Sequence, residues 1–291
     1  MAKNPNAVTV HFNGLAYGGW KSVRITAALE ACARSFILEV SDKWPADPEA
    51  RATVAQNLVT GPAIHPGDLV QIYIGDDLVC TGHVDATPKE YDAQGYFLGV
   101  QGRSLTADLV DSSADNPAGQ WRNAKPEQII AALAAQYGIV LQVQTPTGDA
   151  LTDHQIDPGE SVFDSMDRLA RARQFLLTDD AAGNLVLATP GGAGHATSAL
   201  QFGVNVLSTS CGLDYSETYG EYIVRGAQSG TDDTFGPAAN QSEGKAQDHT
   251  ISRRRVYIIR QGGQVDPGTA QGRADYEARY RAAKALETRY T

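Results

Sequence analysis

Three pairs of adjacent aspartates are the residues whose type and spacing most resemble catalytic groups. They are Asp76–Asp77, Asp179–Asp180 and Asp232–Asp233. Two carboxylates on either side of a glycosidic bond can do acid/base work, so such pairs suggest hydrolysis of bacterial cell wall. Two of the pairs, however, lie in predicted hairpin turns and the third in a polar loop. Aspartate is common there because its side chain caps nearby backbone groups, so the sequence favours a turn role.

The six histidines form no recognisable metal or catalytic motif. They are His11, His65, His83, His154, His195 and His249. None lies in an HExxH segment, and no serine has the GxSxG surroundings of a hydrolase nucleophile. The segment GGAGH at residues 191–195 lacks the lysine and hydroxyl of a P-loop, which favours a linker. The sequence therefore predicts no catalytic, cofactor-binding or metal-binding residue, and leaves open a triad assembled by the fold.

One basic cluster, SRRRVYIIR, occupies residues 252–260. On an extended strand Arg253 and Arg255 would point to one side, and Arg254 and Arg260 to the other. Such a patch would face an acidic neighbour or passing DNA, or it would protect a solvated strand edge with charge. A similar choice, between interface anchor and core residue, applies to the tryptophans. They are Trp20, Trp44 and Trp121.

Composition excludes several classes of protein. The formal net charge is -10 and the isoelectric point is about 5.0, which opposes the phosphate neutralisation on which nucleic-acid binders depend. No window approaches the roughly 20 apolar residues of a membrane span, and the first residues lack a signal-peptide pattern, so we expect a soluble protein made in a cytoplasm. Three widely separated cysteines are expected to be reduced, buried thiols. They are Cys32, Cys80 and Cys211.

The chain is long enough for two or three domains. Residues 7–102 contain several short alternating apolar runs, and VQIYIGDDLVCTGHV predicts a hairpin around Gly75. Several prolines interrupt residues 43–67, which predicts a long connection between strands. Short strands with turns between them indicate a small barrel or sandwich.

After Arg103 the spacing of the apolar residues changes, which predicts a unit of mixed helix and strand. KPEQIIAALAAQYGI predicts a helix that starts at Pro126 and is capped near Gly138. SVFDSMDRLARARQF predicts a second helix, in which Ser161 and Asp164 form a capping-box pattern. FLLTDDAAGNLVLATP then predicts a hairpin with its turn at residues 179–184.

The final third combines strands, a polar segment and a helix. Residues 205–227 predict about two strands, residues 228–247 a mobile polar loop, and residues 269–291 a helix on which the chain ends. On that helix Glu277 and Arg281 are spaced to pair. The predicted apolar stripe consists of Tyr276, Tyr280, Ala283, Leu286 and Tyr290.

Two strands are too few for an independently stable sheet. Three explanations follow from the pattern alone. Another part of this chain completes the sheet, or another subunit does, or the sequence is cut short of its natural C-terminus.

Four extended segments carry a resemblance to a known family. They are SFILEVSDKWP, IHPGDLVQIYIGDDLVCTGHVD, VQGRSLTADLVDSSA followed by GQW, and ESVFDSMDRLARARQFLLTDDAAGNLVLATP. The sequence from about Trp20 to Tyr222 resembles the tail protein P family of Mu-like phages. The resemblance implies a baseplate hub protein of a contractile tail, similar in architecture to the hub of T-even phages and the base of type VI secretion spikes.

The resemblance also implies a domain order within an α+β fold. Residues 1–102 would form a first β-barrel domain, residues 103–199 an α/β domain, and residues 200–228 the start of a second β-barrel. Residues 229–291 would be a loop, strand and C-terminal helix inserted before the missing end of that barrel. We therefore expect a truncated chain, an expectation that a closed second barrel within residues 200–291 would contradict.

The implied function is structural. Such hubs are homotrimers that join a central spike protein to the tail tube protein in the virion baseplate, and that contact other baseplate proteins. They leave an axial channel for the tape-measure protein and for DNA, which passes without sequence-specific binding. No enzyme activity, cofactor or membrane span is expected. The alternatives are a peptidoglycan-degrading tail hydrolase and a carbohydrate-binding β module at the tail tip.

Overall fold

The computed structural model describes residues 7–12, 14–29, 31–43, 48–49, 64–115, 119–189, 199–227, 236 and 241–290. These residues form a mixed fold of mostly β-sheet with few helices, which confirms the predicted α+β class. None of the helices in these ranges has the length and apolar content required to cross a membrane. Trp44, the segment at residues 191–195 and the pair Asp232–Asp233 lie outside the described residues.

Eight strands from the first part of the chain form one antiparallel sheet. They are β1 (Val8–Phe12), β2 (Leu15–Tyr17), β3 (Ser22–Thr26), β4 (Ser35–Lys43), β5 (Leu69–Ile74), β6 (Asp77–Ala86), β7 (Lys89–Tyr91) and β8 (Gly95–Ser104). Their order is β2-β1-β5-β6-β8-β4-β3, and β7 pairs with β8. The predicted hairpin is confirmed, because β5 and β6 pair as far as Ile74 and Asp77. Gly75 turns the chain there with a left-handed φ of 63°.

The sheet curls around a single core. Val10 on β1 and Leu38 on β4 lie towards opposite ends of the strand order, yet both are fully buried in the same apolar cluster. Trp20 packs against this cluster, as its core interpretation predicts. Because residues from distant strands meet in one core, the sheet cannot be flat.

Two glycines allow the longest strands, β6 and β8, to approach closely. A Cβ atom on Gly82 would lie 1.9 Å from the carbonyl oxygen of Arg103. One on Gly102 would lie 2.1 Å from the carbonyl oxygen of His83 and 2.4 Å from the ring of Phe36. At both positions the added Cβ atom would overlap a backbone carbonyl, which cannot move without disturbing the strand. These positions therefore require glycine.

The middle unit contains three helices and two small sheets. Its elements are α1 (Ala107–Asp111), β9 (Gln120–Ala124), α2 (Pro126–Ala135), β10 (Leu141–Val143), β11 (Leu151–Gln155), α3 (Val162–Arg173), β12 (Leu176–Asp179) and β13 (Leu185–Ala188). One sheet has the order β10-β13-β12, and β9 pairs with β11 in the other. The two predicted helices and the hairpin β12–β13 are confirmed. Helix α1 and the β9–β11 pair were not predicted.

Local signals explain why the predicted helices form where they do. The Ser161 hydroxyl accepts a hydrogen bond from the backbone N–H of Asp164 at 3.0 Å, which caps α3. Gly138, with φ of 69°, turns the chain after α2. The apolar stripes of both helices enter one core, against which Trp121 also packs.

The last third forms two further sheets and a long helix. Its elements are β14 (Thr209–Leu213), β15 (Glu221–Ala227), β16 (Ser242–Gln247), β17 (Val256–Gln264), α4 (Pro267–Lys284) and β18 (Leu286–Tyr290). One sheet has the order β16-β15-β17 and the other pairs β14 with β18. Of the three explanations for the short sheet, pairing with another part of this chain is therefore what the described residues show.

The prediction of a loop over residues 228–247 is wrong for residues 242–247, which form β16. This strand lacks large apolar residues because α4 lies directly on it. A Cβ atom on Gly244 would fall 2.2 Å from the backbone of Ala270 in α4. Small residues permit that contact, and the same small residues make the strand look like a loop in the sequence.

The C-terminal helix differs from its prediction in both ends and in its buried face. Asp266 caps α4 by accepting a hydrogen bond from the N–H of Thr269 at 2.8 Å. The helix ends at Lys284 and β18 follows, so the prediction that the chain ends on the helix is wrong. Its buried residues are Ala270, Arg273, Ala274 and Glu277, and the predicted stripe is not the buried face. The predicted pair of Glu277 and Arg281 is confirmed at 3.3 Å.

The described cysteines are free thiols in two environments. Cys32 and Cys80 are buried, as predicted, and burial raises the pKa of each thiol to about 12. Both therefore stay protonated and unreactive at neutral pH. The prediction is wrong for Cys211, which is exposed on β14.

Substitution of Gly102 by alanine tests the close approach of β6 and β8. We expect Gly102→Ala to lower the free energy of unfolding by about 1–3 kcal/mol, since the new methyl group overlaps Phe36 and the His83 carbonyl. Gly212→Ala is the matched control, because nothing lies within 4 Å of its Cβ position. Urea unfolding followed by circular dichroism measures both. Equal midpoints for the two variants would contradict the steric role.

Candidate functional site

The aspartate pairs separate into different structural roles. Asp180 caps the β12–β13 turn, where its carboxylate accepts hydrogen bonds from the Asn184 backbone N–H at 2.9 Å and side-chain amide at 2.8 Å. Asp76 lies in the β5–β6 turn and Asp77 begins β6. The predicted turn role is therefore confirmed for Asp180 and for the location of Asp76.

Asp179, by contrast, is buried and pairs with a residue from the first sheet. Its Oδ2 accepts a hydrogen bond from Arg34 Nε at 2.9 Å, and its carbonyl oxygen accepts one from Arg34 Nη2 at 2.9 Å. Arg34 Nη1 donates to the carbonyl of Val79 on β6 at 2.7 Å. One guanidinium thus connects the curled sheet with the middle unit. No local sequence pattern marks Arg34 as functional, because its partner lies 145 positions away.

A second set of hydrogen bonds runs beside this ion pair. The Thr106 hydroxyl donates to the carbonyl of Cys32 at 2.5 Å and also contacts the Ser104 hydroxyl at 2.9 Å. The Ser104 hydroxyl accepts from the N–H of Arg34 at 3.1 Å. Cys32 itself belongs to the apolar core of the middle unit. We call these residues and Asp179 the junction, because they join the curled sheet to the middle unit.

His154 and Ser165 are the histidine and serine that the fold brings together. The imidazole Nε2 lies 2.9 Å from the serine Oγ. The two residues are only 7% and 0% exposed, so a substrate cannot reach the hydroxyl. Burial, reinforced by the nearby positive charge of Arg168, lowers the pKa of His154 to about 4. The pair therefore fastens β11 to α3 as a neutral contact. Among the residues that the structure describes, no cluster of His, Cys, Asp and Glu is arranged to hold a metal ion.

Only residues 256–260 of the basic cluster form the extended strand that was predicted, and Arg260 lies on it. Residues 253–255 precede β17, which starts at Val256. Arg253 and Arg254 are exposed, whereas Arg255 turns inward and donates to the carbonyls of Tyr215 at 3.0 Å and Ser216 at 2.7 Å. Arg255 therefore fastens the loop before β15.

Aromatic rings and charges attach α4 to the same region. The Arg281 guanidinium lies 4.3 Å from the ring centre of Tyr257, which stacks on Tyr219 at 4.9 Å. Glu277 bonds both Arg273 and Arg281 while remaining almost fully buried. A buried carboxylate with two guanidinium partners is compensated, so the cluster is structural.

A cleft of about 820 Å³ lies between the middle unit and the last third of the chain. It is bounded by β11, α3, β17 and the start of α4. Its charged lining residues are Asp149, Asp153, Asp157, Asp266, Arg168, Arg173 and Arg260. Because both charges are interspersed, the cleft selects neither an anion nor a cation.

The segment from 199 to 213, ALQFGVNVLSTSCGL, forms an exposed surface without any charged residue. We call it the uncharged surface. Five large apolar side chains in it are 64 to 82% exposed. They are Leu200, Phe202, Val204, Leu207 and Leu213. In the sequence this segment is the end of a run without Asp, Glu, Lys or Arg that extends from residue 181 to residue 213.

Comparisons with known proteins identify relatives along nearly the whole chain. Residues 7–104 match the family described as Mu phage baseplate assembly protein GpP-like, N-terminal. Residues 106–189 match the family described as baseplate hub protein gp44-like, second domain.

Individual relatives agree with these families. The baseplate hub protein gp44 of Escherichia phage Mu is 32% identical over 288 residues, which cover 97% of this chain and 72% of the relative. A 43 kDa tail protein of prophage MuSo2 from Shewanella oneidensis has a TM-score of 0.80 at 28% identity, covering 98% of this chain and 81% of that one. A tail protein from Neisseria meningitidis MC58 shares the fold, with a TM-score of 0.76 at 17% identity over 98% and 79% of the two chains.

The buried pair of Arg34 and Asp179 is expected to contribute far more stability than an exposed pair. Asp179→Asn should lower the free energy of unfolding by about 3 kcal/mol, because it leaves the half-buried Arg34 guanidinium without its countercharge. Glu243→Gln, which disrupts the exposed pairs with Arg225 and Lys245, should lower it much less, because solvent screens exposed charges. Chemical unfolding at pH 7 compares them. Similar losses for the two variants would show that the junction does not depend on this charge.

His154 should make the fold sensitive to mild acid. Its pKa falls from 6.5 to about 4 on folding, so its contribution is fully present above pH 6.5 and is lost as the pH falls towards 4. Between pH 7.5 and 5 we expect a loss of about 2 kcal/mol in unfolding free energy from this group. His154→Gln keeps a polar contact to Ser165 without titrating and should flatten that part of the profile. An unchanged slope in the variant would contradict the assignment.

Proposed function

Because the chain belongs to the family of baseplate hub proteins of Mu-like phages, we propose that it is a structural subunit of the baseplate hub of a contractile phage tail. The observation that carries this proposal is the 32% sequence identity to the hub protein of phage Mu, which extends over 97% of this chain. The protein would act in the tail baseplate of the virion after assembly in the bacterial host cytoplasm. Its work is to hold other proteins in a fixed geometry.

The proposed assembly is a homotrimeric ring. Closed threefold symmetry requires each copy to contact the next through two different surfaces, and repetition of that contact closes the ring. The rigid connection between the curled sheet and the middle unit supports this role, since a ring closes only if each subunit keeps a defined shape. The Arg34–Asp179 pair supplies one such connection.

The ring would join the central spike protein to the tail tube protein and contact other baseplate proteins. An axial channel would let the tape-measure protein and then DNA pass during ejection. The net charge of -10 supports passage without binding, because an acidic lumen repels phosphates. A strongly basic lumen would contradict this part of the proposal.

The proposed domain order follows the predicted boundaries. Residues 1–102 would form the first barrel, which the curled eight-stranded sheet supports. Residues 103–199 would form the α/β domain. The segment from residue 200 would belong to a second barrel, in which β14 and β18 are two of the strands and further strands come from outside the residues described here. The full exposure of β14 supports that need for additional strands.

We also propose that the protein is not an enzyme. Three features support this view. Asp180 is engaged in a turn, Asp179 is engaged in the junction, and the Ser165 hydroxyl is inaccessible behind His154.

Mass and shape in solution test the proposal. Multi-angle light scattering should give three times the 31.0 kDa chain mass, and negative-stain images should show threefold rings with a central hole. A monomer at all concentrations would contradict the ring. Clearing of peptidoglycan in a zymogram, lost in Asp-to-Asn variants, would contradict the structural role and favour the tail hydrolase.

A further inference from the structure

We propose that the last third of the chain is hinged on the middle unit where α4 meets α3, and that the cleft beside this contact closes. The closing contacts are a hydrogen bond from Arg168 to Gln261 and an ion pair of Asp153 with Arg260. The inference concerns this chain alone and does not depend on the proposed hub function.

Separate apolar cores lie on the two sides of the cleft. The core of the middle unit includes Met166 and Leu169 of α3. The core of the last third includes Ala270 and Ala274 of α4. Two units that are joined without a large shared apolar interface are expected to move relative to one another.

Charged side chains lie at the contact between α3 and α4. Asp167 and Arg171 of α3 line a cavity of about 250 Å³ together with Arg273 of α4. Arg171 pairs with Asp167 within α3, and Arg273 pairs with Glu277 within α4. Because each of these ion pairs lies within one helix, a rotation of one helix against the other breaks neither.

The junction between the curled sheet and the middle unit is built differently. Its buried ion pair joins Arg34 of one unit to Asp179 of the other. Rotation there would break that pair and leave buried charges uncompensated, at a high cost in free energy. We therefore place the motion at the α3–α4 contact and not at the junction.

Gly272 of α4 meets the end of α3 closely. A Cβ atom on Gly272 would lie 2.6 Å from the side-chain amide nitrogen of Gln174. Gln174 ends α3 in a left-handed conformation with φ of 62°. Because glycine has no side chain to interlock with its neighbour, this point is suited to be the pivot.

Two buried polar atoms on the walls of the cleft lack a hydrogen-bond partner among the described residues. They are Nε of Arg168 in α3 and Oε1 of Gln261 in β17. An unsatisfied buried polar atom costs free energy. One atom is a donor and the other an acceptor, so a hydrogen bond between them would satisfy both. The other nitrogens of Arg168 already bind Asp157 and Glu160, which hold the guanidinium in place.

Opposite charges also lie on the two walls. Asp153 is exposed on β11 and Arg260 is exposed on β17. The two strands approach within 8 Å between Cα atoms. A small rotation would therefore bring the two charges together, and their attraction favours the closed form.

Disulfide trapping tests the closure directly. In the full chain with Cys211→Ser, the other two native cysteines are buried. Thr152→Cys and Gly262→Cys place thiols on opposite walls of the cleft, and nothing lies within 4 Å of the Gly262 Cβ position. Oxidation should join them within one chain, which requires Cβ atoms about 4 Å apart. Thr152→Cys with Gly212→Cys, which lies outside the cleft, should give no bond. A folded protein that forms no bond across the cleft would overturn the inference.

The rate of this crosslink tests the assigned contacts. Gln261→Glu should raise the rate, because a charged acceptor binds Arg168 more strongly, and Gln261→Met should lower it. Arg260→Glu should lower the rate about fivefold, since attraction across the cleft becomes repulsion, and the further change Asp153→Arg should restore it. Each rate is divided by that of the same thiols with iodoacetamide, which removes effects on thiol reactivity. Rates that none of these changes alters would overturn the assigned contacts.

Distances between spin labels test the hinge independently of the cleft. Val143→Cys on β10 and Arg279→Cys on α4 place labels at exposed positions in the two units, again with Cys211→Ser. Double electron–electron resonance should give a broader distance distribution for this pair than for Val143→Cys with Arg122→Cys, which both lie in the middle unit. Gln261→Glu should narrow the broader distribution. Equal widths for the two label pairs would show a rigid connection and overturn the hinge.

Discussion

The buried pair of Arg34 and Asp179 is the interaction on which the arrangement of the first two units depends. The Arg34 guanidinium donates hydrogen bonds to the carboxylate and carbonyl of Asp179 and to the carbonyl of Val79, so it contacts both β12 and β6. Such a charge is costly to bury unless each donor finds an acceptor. Here the geometry provides them, and the junction holds two separate cores in a fixed relation.

Close backbone contact is the second constraint, and it depends on the absence of side chains. Gly82 and Gly102 let the paired strands β6 and β8 approach closely, and Gly244 lets α4 lie on the sheet of β15, β16 and β17. With the helix so near, its buried face contains alanines together with the compensated charges Arg273 and Glu277. The tyrosines remain only partly buried, and Tyr276 and Tyr280 stack on one another at 6.0 Å. The apolar core of the last third is small, and its buried members are Val224, Val265, Ala270 and Ala274. Small residues and ion pairs therefore contribute much of the packing in this part of the chain.

Three residues of types that often do chemistry are engaged in structural contacts. Asp179 is occupied by Arg34, Asp180 by the turn, and His154 by a serine that solvent barely reaches. In the part of the chain that the structure describes, the segment at residues 199–213 exposes several apolar side chains. These contacts are compatible with membership of the family of baseplate hub proteins, which the relative in phage Mu shows.

Sequence alone determined the elements whose signals are local. The hairpin at Gly75, the helices after Lys125 and Ser161 and the Glu277–Arg281 pair depend on turn, cap and spacing patterns within a few residues. Extended resemblance determined the family, which no local pattern could have named. Tertiary structure decided whatever depends on distant neighbours. Strand β16 looks like a loop until α4 lies on Gly244, α4 buries charges because they meet partners, and Asp179 becomes a structural ion because Arg34 reaches it from the first sheet. Burial and pairing belong to contacts between segments far apart in sequence, and so they appear only when the chain is folded.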